Sequence, residues 1–275
     1  MRWVTLALVM VGCTHPQPPA SASTTRTDPP PVPGEEHPVP TDLDAEVRRV
    51  RATALFLIQS LDETLAAVRA LHSSGATLDP DVLAVLTLRT PWAQGWEVLF
   101  IAERRGGGVS VVHEARHADG SANRTFRGPD DPRPLVGIEV EAWAARQLAA
   151  DRYLRNGTCP GGFQALVLPP HEGNDGFTVY ILPMPGKDRI AIGGFRRIRV
   201  SADARRVLSD EPLTEGCRSA GAERSIRIRN PVVEVPDEVS VMLAIGLPRT
   251  FEVVTPRGRW DITSGKIRFL GDGTP

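Results

Sequence analysis

The sequence predicts an α+β fold: a long N-terminal helix and a β-hairpin, then a second helix, an antiparallel β-meander and a C-terminal β region. Three observations predict it. Apolar residues recur at spacings of three and four from Val47 to Leu71, and less regularly from Val136 to Asn156, the period of a helix with one buried face. Short apolar runs fill the rest and end at Gly, Pro or Asp turn signals, as strands do. Cys159 and Cys217 bracket the richest group of these runs.

A chain of 275 residues can hold one or two domains with real cores. The hydrophobic share of 41% is that of a soluble globular protein, and the net charge of -1 argues against a general nucleic-acid binder. The chain divides into residues 42–134, an N-terminal α+β region, 135–219, a helix with a stapled sheet, and 220–275, strands packed on the same body.

The first helix is expected from Thr41, as cap with Asp44 in a capping box, to about Ser73, stopping near Gly75. Val47, Val50, Ala54, Leu57, Leu61, Leu65, Val68 and Leu71 form its stripe. A shorter helix is expected from Asp79-Pro80 to just before Pro91, since Pro suits a first helical turn. Trp96–Ala102 and Val109–Ala118 read as a hairpin around the Gly106-Gly107-Gly108 turn, with Asp119-Gly120 as the next turn. Residues 120–134 are polar and contain prolines, so a loop is expected. Val136–Asn156 follows as a helix, ended by Gly157.

Strands are then expected at Phe163–Leu168, Phe177–Leu182, Arg189–Val200 and Arg206–Leu208. Gly193-Gly194 marks a bulge or bend in the longest run. Ile190, Ile192, Ile198 and Val200 are placed on one face, with arginines outward. Ile226–Arg229, Val239–Gly246, Phe251–Thr255, Arg259–Ile262 and Ile267–Leu270 complete the strands. Val239, Val241, Leu243 and Ile245 alternate with Ser240, Met242 and Ala244, the strand period. Thr263-Ser264-Gly265 turns a last hairpin that should bring Trp260 and Phe269 together.

At the N-terminus, Arg2 precedes an apolar run too short for a bilayer, which needs about 20 residues, but suited to a secretory signal. Met10-Val11-Gly12-Cys13 resembles the bacterial lipobox, in which cleavage precedes a cysteine that receives a diacylglyceryl group; Met10 stands for the usual Leu. The resemblance implies a signal peptide over 1–12, lipid attachment at Cys13, and a Pro-rich tether through residue 41. Thr14, in place of an Asp that would retain the protein at the inner membrane, favours the outer membrane. The expected location is the cell envelope, on the periplasmic side of the outer membrane or at the cell surface. A plain signal peptide with a chance cysteine is the other reading. His15 and His37 read as solvated tether residues.

His113-Glu114-Ala115-Arg116-His117 matches H-E-x-x-H. On a helix the two histidines would share a face and a zinc, with the glutamate as base. The pattern resembles the zincin metallopeptidase signature, which implies His113 and His117 as zinc ligands, Glu141 completing the set and Glu114 as catalytic base. Asn123 sits where the extended form places a third ligand, and it is a poor one. The local sequence argues instead for a strand, because Val109, Val111 and Val112 are β-branched and glycine turns lie close on both sides. Residues four apart in a strand lie about 13 Å apart, too far for one metal with ligand bonds near 2 Å. The principal expectation is thus no catalytic residue, metal or cofactor.

Arg196, Arg197, Arg199, Arg205 and Arg206, later joined by Arg224, Arg227 and Arg229, form a basic cluster. It could face a protein or an anionic partner, or be balanced by acids within the fold. With Cys13 lipidated, Cys159 and Cys217 are left to pair in an oxidising compartment. The run Val179-Tyr180-Ile181-Leu182-Pro183, then Gly193-Gly194-Phe195-Arg196 and Val200-Ser201-Ala202-Asp203, closing at Cys217, resembles uncharacterised exported proteins of Gram-negative bacteria. The resemblance covers about residues 140–220, Ala204 replaces their turn glycine, and it implies no activity. A helix followed by a meander also looks like PepSY or cystatin-type modules, some of which inhibit peptidases. The sequence therefore reads as a membrane-tethered, non-enzymatic binding or structural module. A zinc metallopeptidase and a peptidase-inhibitor-like module are the alternatives.

Overall fold

The computed structural model describes residues 36–271 apart from 76–77, 79, 91–94, 105–106, 119–123, 128–131, 158, 172–174 and 187–188. The stretch that resembles a lipobox, most of the Pro-rich stretch expected to be a tether, Asp119-Gly120 and Asn123 lie outside the described residues. The fold is α+β. In chain order its elements are α1 (Asp44–Ser73), β1 (Val82–Thr90), β2 (Gly95–Glu103), β3 (Val109–Ala118), β4 (Arg124–Arg127), α2 (Ile138–Arg155), β5 (Phe163–Leu168), β6 (Phe177–Pro183), β7 (Ile190–Ala191), β8 (Arg196–Val200), β9 (Val207–Pro212), β10 (Ser219–Ala220), β11 (Ser225–Arg229), α3 (Glu238–Gly246), β12 (Thr250–Thr255), β13 (Gly258–Thr263) and β14 (Lys266–Phe269). Among the described residues no helix is long and apolar enough to cross a membrane.

Three four-stranded sheets are ordered β1-β2-β3-β4, β5-β6-β8-β9 and β11-β12-β13-β14, with β7 and β10 as a separate pair. The first sheet is an antiparallel meander between two helices. Val98, Phe100, Ala102 and Ala115 on one face meet Ala67 and Leu71 of α1. Leu86, Leu88, Leu99, Ile101 and Val111 on the other meet Ala142, Ala145, Ala149 and Tyr153 of α2. The same core takes in Ala165, Val167, Val179, Ile181 and Ile198 of the second sheet. The other face of that sheet, through Leu166, Leu168, Tyr180 and Leu182, packs with the first half of α1, with α3 and with the third sheet. Every residue of β6 is therefore buried. Each large apolar side chain so covered contributes about 1.5–3 kcal/mol relative to exposure.

Several elements follow the sequence closely. The stretch Val109–Ala118 is a strand paired antiparallel with β2. Trp260 and Phe269 are register partners, with ring centroids 4.8 Å apart.

Others differ, each for a physical reason. The helix expected from Asp79-Pro80 is the edge strand β1: its centre is covered on both faces, so it reads as a continuous apolar run and not as an alternation. Within the loop expected over 120–134, β4 pairs with β3 from Glu114↔Arg127 to His117↔Arg124. The strand expected at Val239–Gly246 is α3. Asp237 caps it, accepting from the amides of Val239 and Ser240 at 3.0 and 2.9 Å. Strands β11 and β12 are parallel, a pairing that needs a crossover, and α3 supplies it. Buried on several sides, its run Val239, Ser240, Val241, Met242 and Ala244 carries no helical stripe.

The run Arg189–Val200 breaks at Gly193-Gly194. Segment β7 pairs with β10, whereas β8 pairs with β6 and β9. Ile192 consequently joins one core and Ile198 and Val200 another, not a common face. The bend needs both glycines. Gly194 has φ +79°, and a Cβ on Gly193 would lie 2.6 Å from the Gly216 carbonyl oxygen. The N-cap of α1 is Leu43 without a side-chain bond, so Thr41 forms no capping box. His37 is exposed, as expected of a solvated residue, but it is anchored and not part of a loose tether: its amide donates to Phe269 O at 2.9 Å, extending the third sheet.

Candidate functional site

Strand alternation separates the groups of the H-E-x-x-H motif. His113 is 1% exposed and meets Phe100 edge-on at 5.8 Å between centroids. His117 Nδ1 lies 2.9 Å from Glu63 Oε1 of α1. Both histidines thus face α1. Glu114 points to the opposite face, where Arg133 Nε donates to it at 2.7 Å. Glu141 belongs to α2, which packs on that same opposite face. The four residues of the zincin pattern are therefore split across a sheet. Among the described residues, no three His, Cys, Asp or Glu gather as a metal site would require.

What the motif builds is a buried ion-pair cluster. Arg133 donates to both oxygens of Glu139 at 2.7 and 2.8 Å as well as to Glu114. Arg116 donates to Glu97 at 2.8 Å and also pairs with Glu114. Burial pushes the Glu97 carboxyl up, against the pull of Arg116. Hydrogen bonds to Glu139, then to Glu114, hold Arg133 charged. Since Arg133 also bridges Val111 through its backbone, the cluster ties β2, β3 and α2 together.

The arginine cluster is likewise answered from within. Arg196 and Arg152 share Asp210. Arg227 and Arg259 share the buried Glu252. Arg197 lies on a covered face, only 17% exposed, and donates to Glu211 and to Glu238 at 2.7 Å each. The outward arginine face expected from the sequence is therefore partly an inward one. Arg199, Arg205, Arg206, Arg224 and Arg229 are exposed.

Cys159 and Cys217 are joined, with Cα atoms 5.3 Å apart. Cys159 is buried and Cys217 exposed. The bond lies in a cleft of about 330 Å³ walled by Pro160, Gly161, Pro183, Gly193 and Arg218 among others. That lining holds one charged side chain and no acid or imidazole. A Cβ on Gly194 would collide with Cys159 Sγ, so this glycine is required by the staple itself.

Three features escape a reading of the sequence. Glu238, 1% exposed, receives Arg49 of α1 at 3.0 Å and Arg197 of β8, joining two distant segments at the start of α3. Beside it, burial pushes the Asp237 carboxyl up to about 6, against hydrogen bonds from Ser240 and Asn230. On α2, Arg146 has no carboxylate partner among the described residues, and its Nε is shut from solvent without an acceptor. The Asp237-Glu238 pair after Pro236 is a helix-start signal that could have been read. Nothing in sequence marks an arginine that lacks an acid.

Comparison with known proteins adds no relative: no family model, no curated protein and no solved structure matches the chain.

Proposed function

We propose that the chain is an exported lipoprotein, held in the cell envelope through Cys13, that acts as a binding or structural module and not as an enzyme. The observation that carries this reading is the Cys159–Cys217 disulfide, because such bonds persist in oxidising compartments outside the cytosol. It agrees with the lipobox at Met10–Cys13 and with a Pro-rich stretch suited to a tether. The non-enzymatic part of this reading is supported by the engagement of three side chains in and around the H-E-x-x-H motif. Glu114 and Glu139 are tied to Arg133, and His117 lies against Glu63.

Metabolic labelling with a palmitate analogue tests the anchor. Label should enter the wild-type chain and be absent from Cys13→Ser. Equal labelling of the variant would overturn lipidation at this position.

A further inference from the structure

We propose that the free edge of β11 takes up an extended acidic segment of a partner protein as an added strand. This names the partner for the binding role proposed above and rests on that role.

Strand β11 has one neighbour, β12, to which it runs parallel. In a parallel ladder, alternate residues turn both backbone groups to the same side. The amide of Thr250 donates to Arg224 O at 3.1 Å and that of Asn230 to Val254 O at 2.8 Å. Ile226 and Ile228, in phase with these, therefore bond to β12, while Ser225, Arg227 and Arg229 turn their N–H and C=O groups outward. Among the described residues these outward groups have no partner. The other edge of the same sheet differs, because the His37 amide already donates to Phe269 O there. An open edge is a template for a further strand. Its accessible end lies at Arg229, which is exposed, and Arg227, whose side chain is 35% exposed. Ser225, with its hydroxyl shut from solvent, is the covered end.

Charge selects the occupant. Ile226 and Ile228 point into the core, so Arg227 and Arg229 stand on the opposite face. Arg229 has no acid partner among the described residues. Arg227 shares one carboxylate, Glu252, with Arg259, so positive charge is in excess there too. The exposed acids nearest in sequence, Glu223 and Glu234, form no ion pair with these arginines. A second copy of β11 would set arginines against arginines, and like charges directly opposite are destabilising. A strand with glutamate or aspartate at alternate positions instead sets a carboxylate against each arginine and gives its own amides to the edge.

Hydrogen exchange of the full-length protein, with and without peptide, tests the proposal. The probes are a blocked peptide Thr-Glu-Val-Glu-Val-Glu-Thr, the same peptide N-methylated at its glutamates, and its lysine counterpart. In the free protein the Arg227 and Arg229 amides should exchange fast and those of Ile226 and Ile228 slowly. The glutamate peptide should bind saturably and slow exchange at Arg227 and Arg229 by about tenfold or more. The N-methylated peptide keeps the charge but cannot donate, and neither it nor the lysine peptide should do so. Arg229→Glu should keep the wild-type melting temperature and weaken the glutamate peptide by about tenfold or more. The proposal is overturned if those two amides are already protected in the free protein, if the glutamate peptide fails to bind, if either control peptide binds as tightly, or if Arg229→Glu binds it unchanged. Capture by phosphatidylglycerol vesicles in place of the peptide would also overturn it, assigning the charge to a membrane surface. Any of these sinks the edge alone, because the anchor is judged separately by labelling of Cys13.

Discussion

Arg197→Ala is expected to destabilise the fold by about 3–5 kcal/mol, the usual cost of removing one partner from a buried ion pair. One side chain serves three neighbours: Glu238, Glu211 and the hydroxyl of Tyr180. Glu238 is 1% exposed and would keep only Arg49, which is itself drawn toward Glu46. The loss therefore loosens the junction of α1, the second sheet and α3 at once. A control separates this effect from lost packing. Arg197→Met with Glu238→Met replaces the pair by apolar groups of similar length and should be far less damaging than the single change. Urea midpoints for both variants measure the difference. A loss under 1 kcal/mol in Arg197→Ala would show that the network carries little stability.

Replacing both Cys159 and Cys217 by serine should cost about 4 kcal/mol in the chain-entropy description, for a sequence separation of 58. The staple joins the segment after α2 to the segment before β10, and Gly193-Gly194 bends against both. Without it, the β7–β10 pair, only two residues long on each side, is the element with least to hold it. Protection of the Ile190–Ala191 and Ser219–Ala220 amides from hydrogen exchange should fall first. Uniform loss across all sheets, or a stability change under 1 kcal/mol, would contradict this role.

The sequence made most of the architecture legible where one physical signal dominated. The β-branched residues Val109, Val111 and Val112 beside glycine turns marked β3, and the register of Trp260 with Phe269 followed from a single turn. It failed where burial erased the pattern. Strand β1 and helix α3 are both covered on more than one side, so each reads as an apolar run that fits either period. For α3 the local cap at Asp237 held the answer, and the alternation of Val239, Val241, Leu243 and Ile245 overrode it. Thr41 failed as a cap because the helix starts two residues later than its hydroxyl could serve.

The candidate site was less legible, because it depends on pairs distant in sequence. Arginine density across 196–229 suggested an outward basic surface. In the fold, Arg196 and Arg197 find Asp210, Glu211 and Glu238. The spacing of the H-E-x-x-H motif carried the right types at the wrong period: alternation sends His113 and His117 to α1 and Glu114 to Arg133.

Zinc content, measured on the purified full-length chain prepared without chelators, tests most directly whether residues 113–117 are framework in a protein that binds and does not cleave. The expected result is zinc well below one per chain, unchanged in His117→Ala, with no peptide hydrolysis. One zinc per chain that is lost in His117→Ala together with a peptidase activity would contradict it.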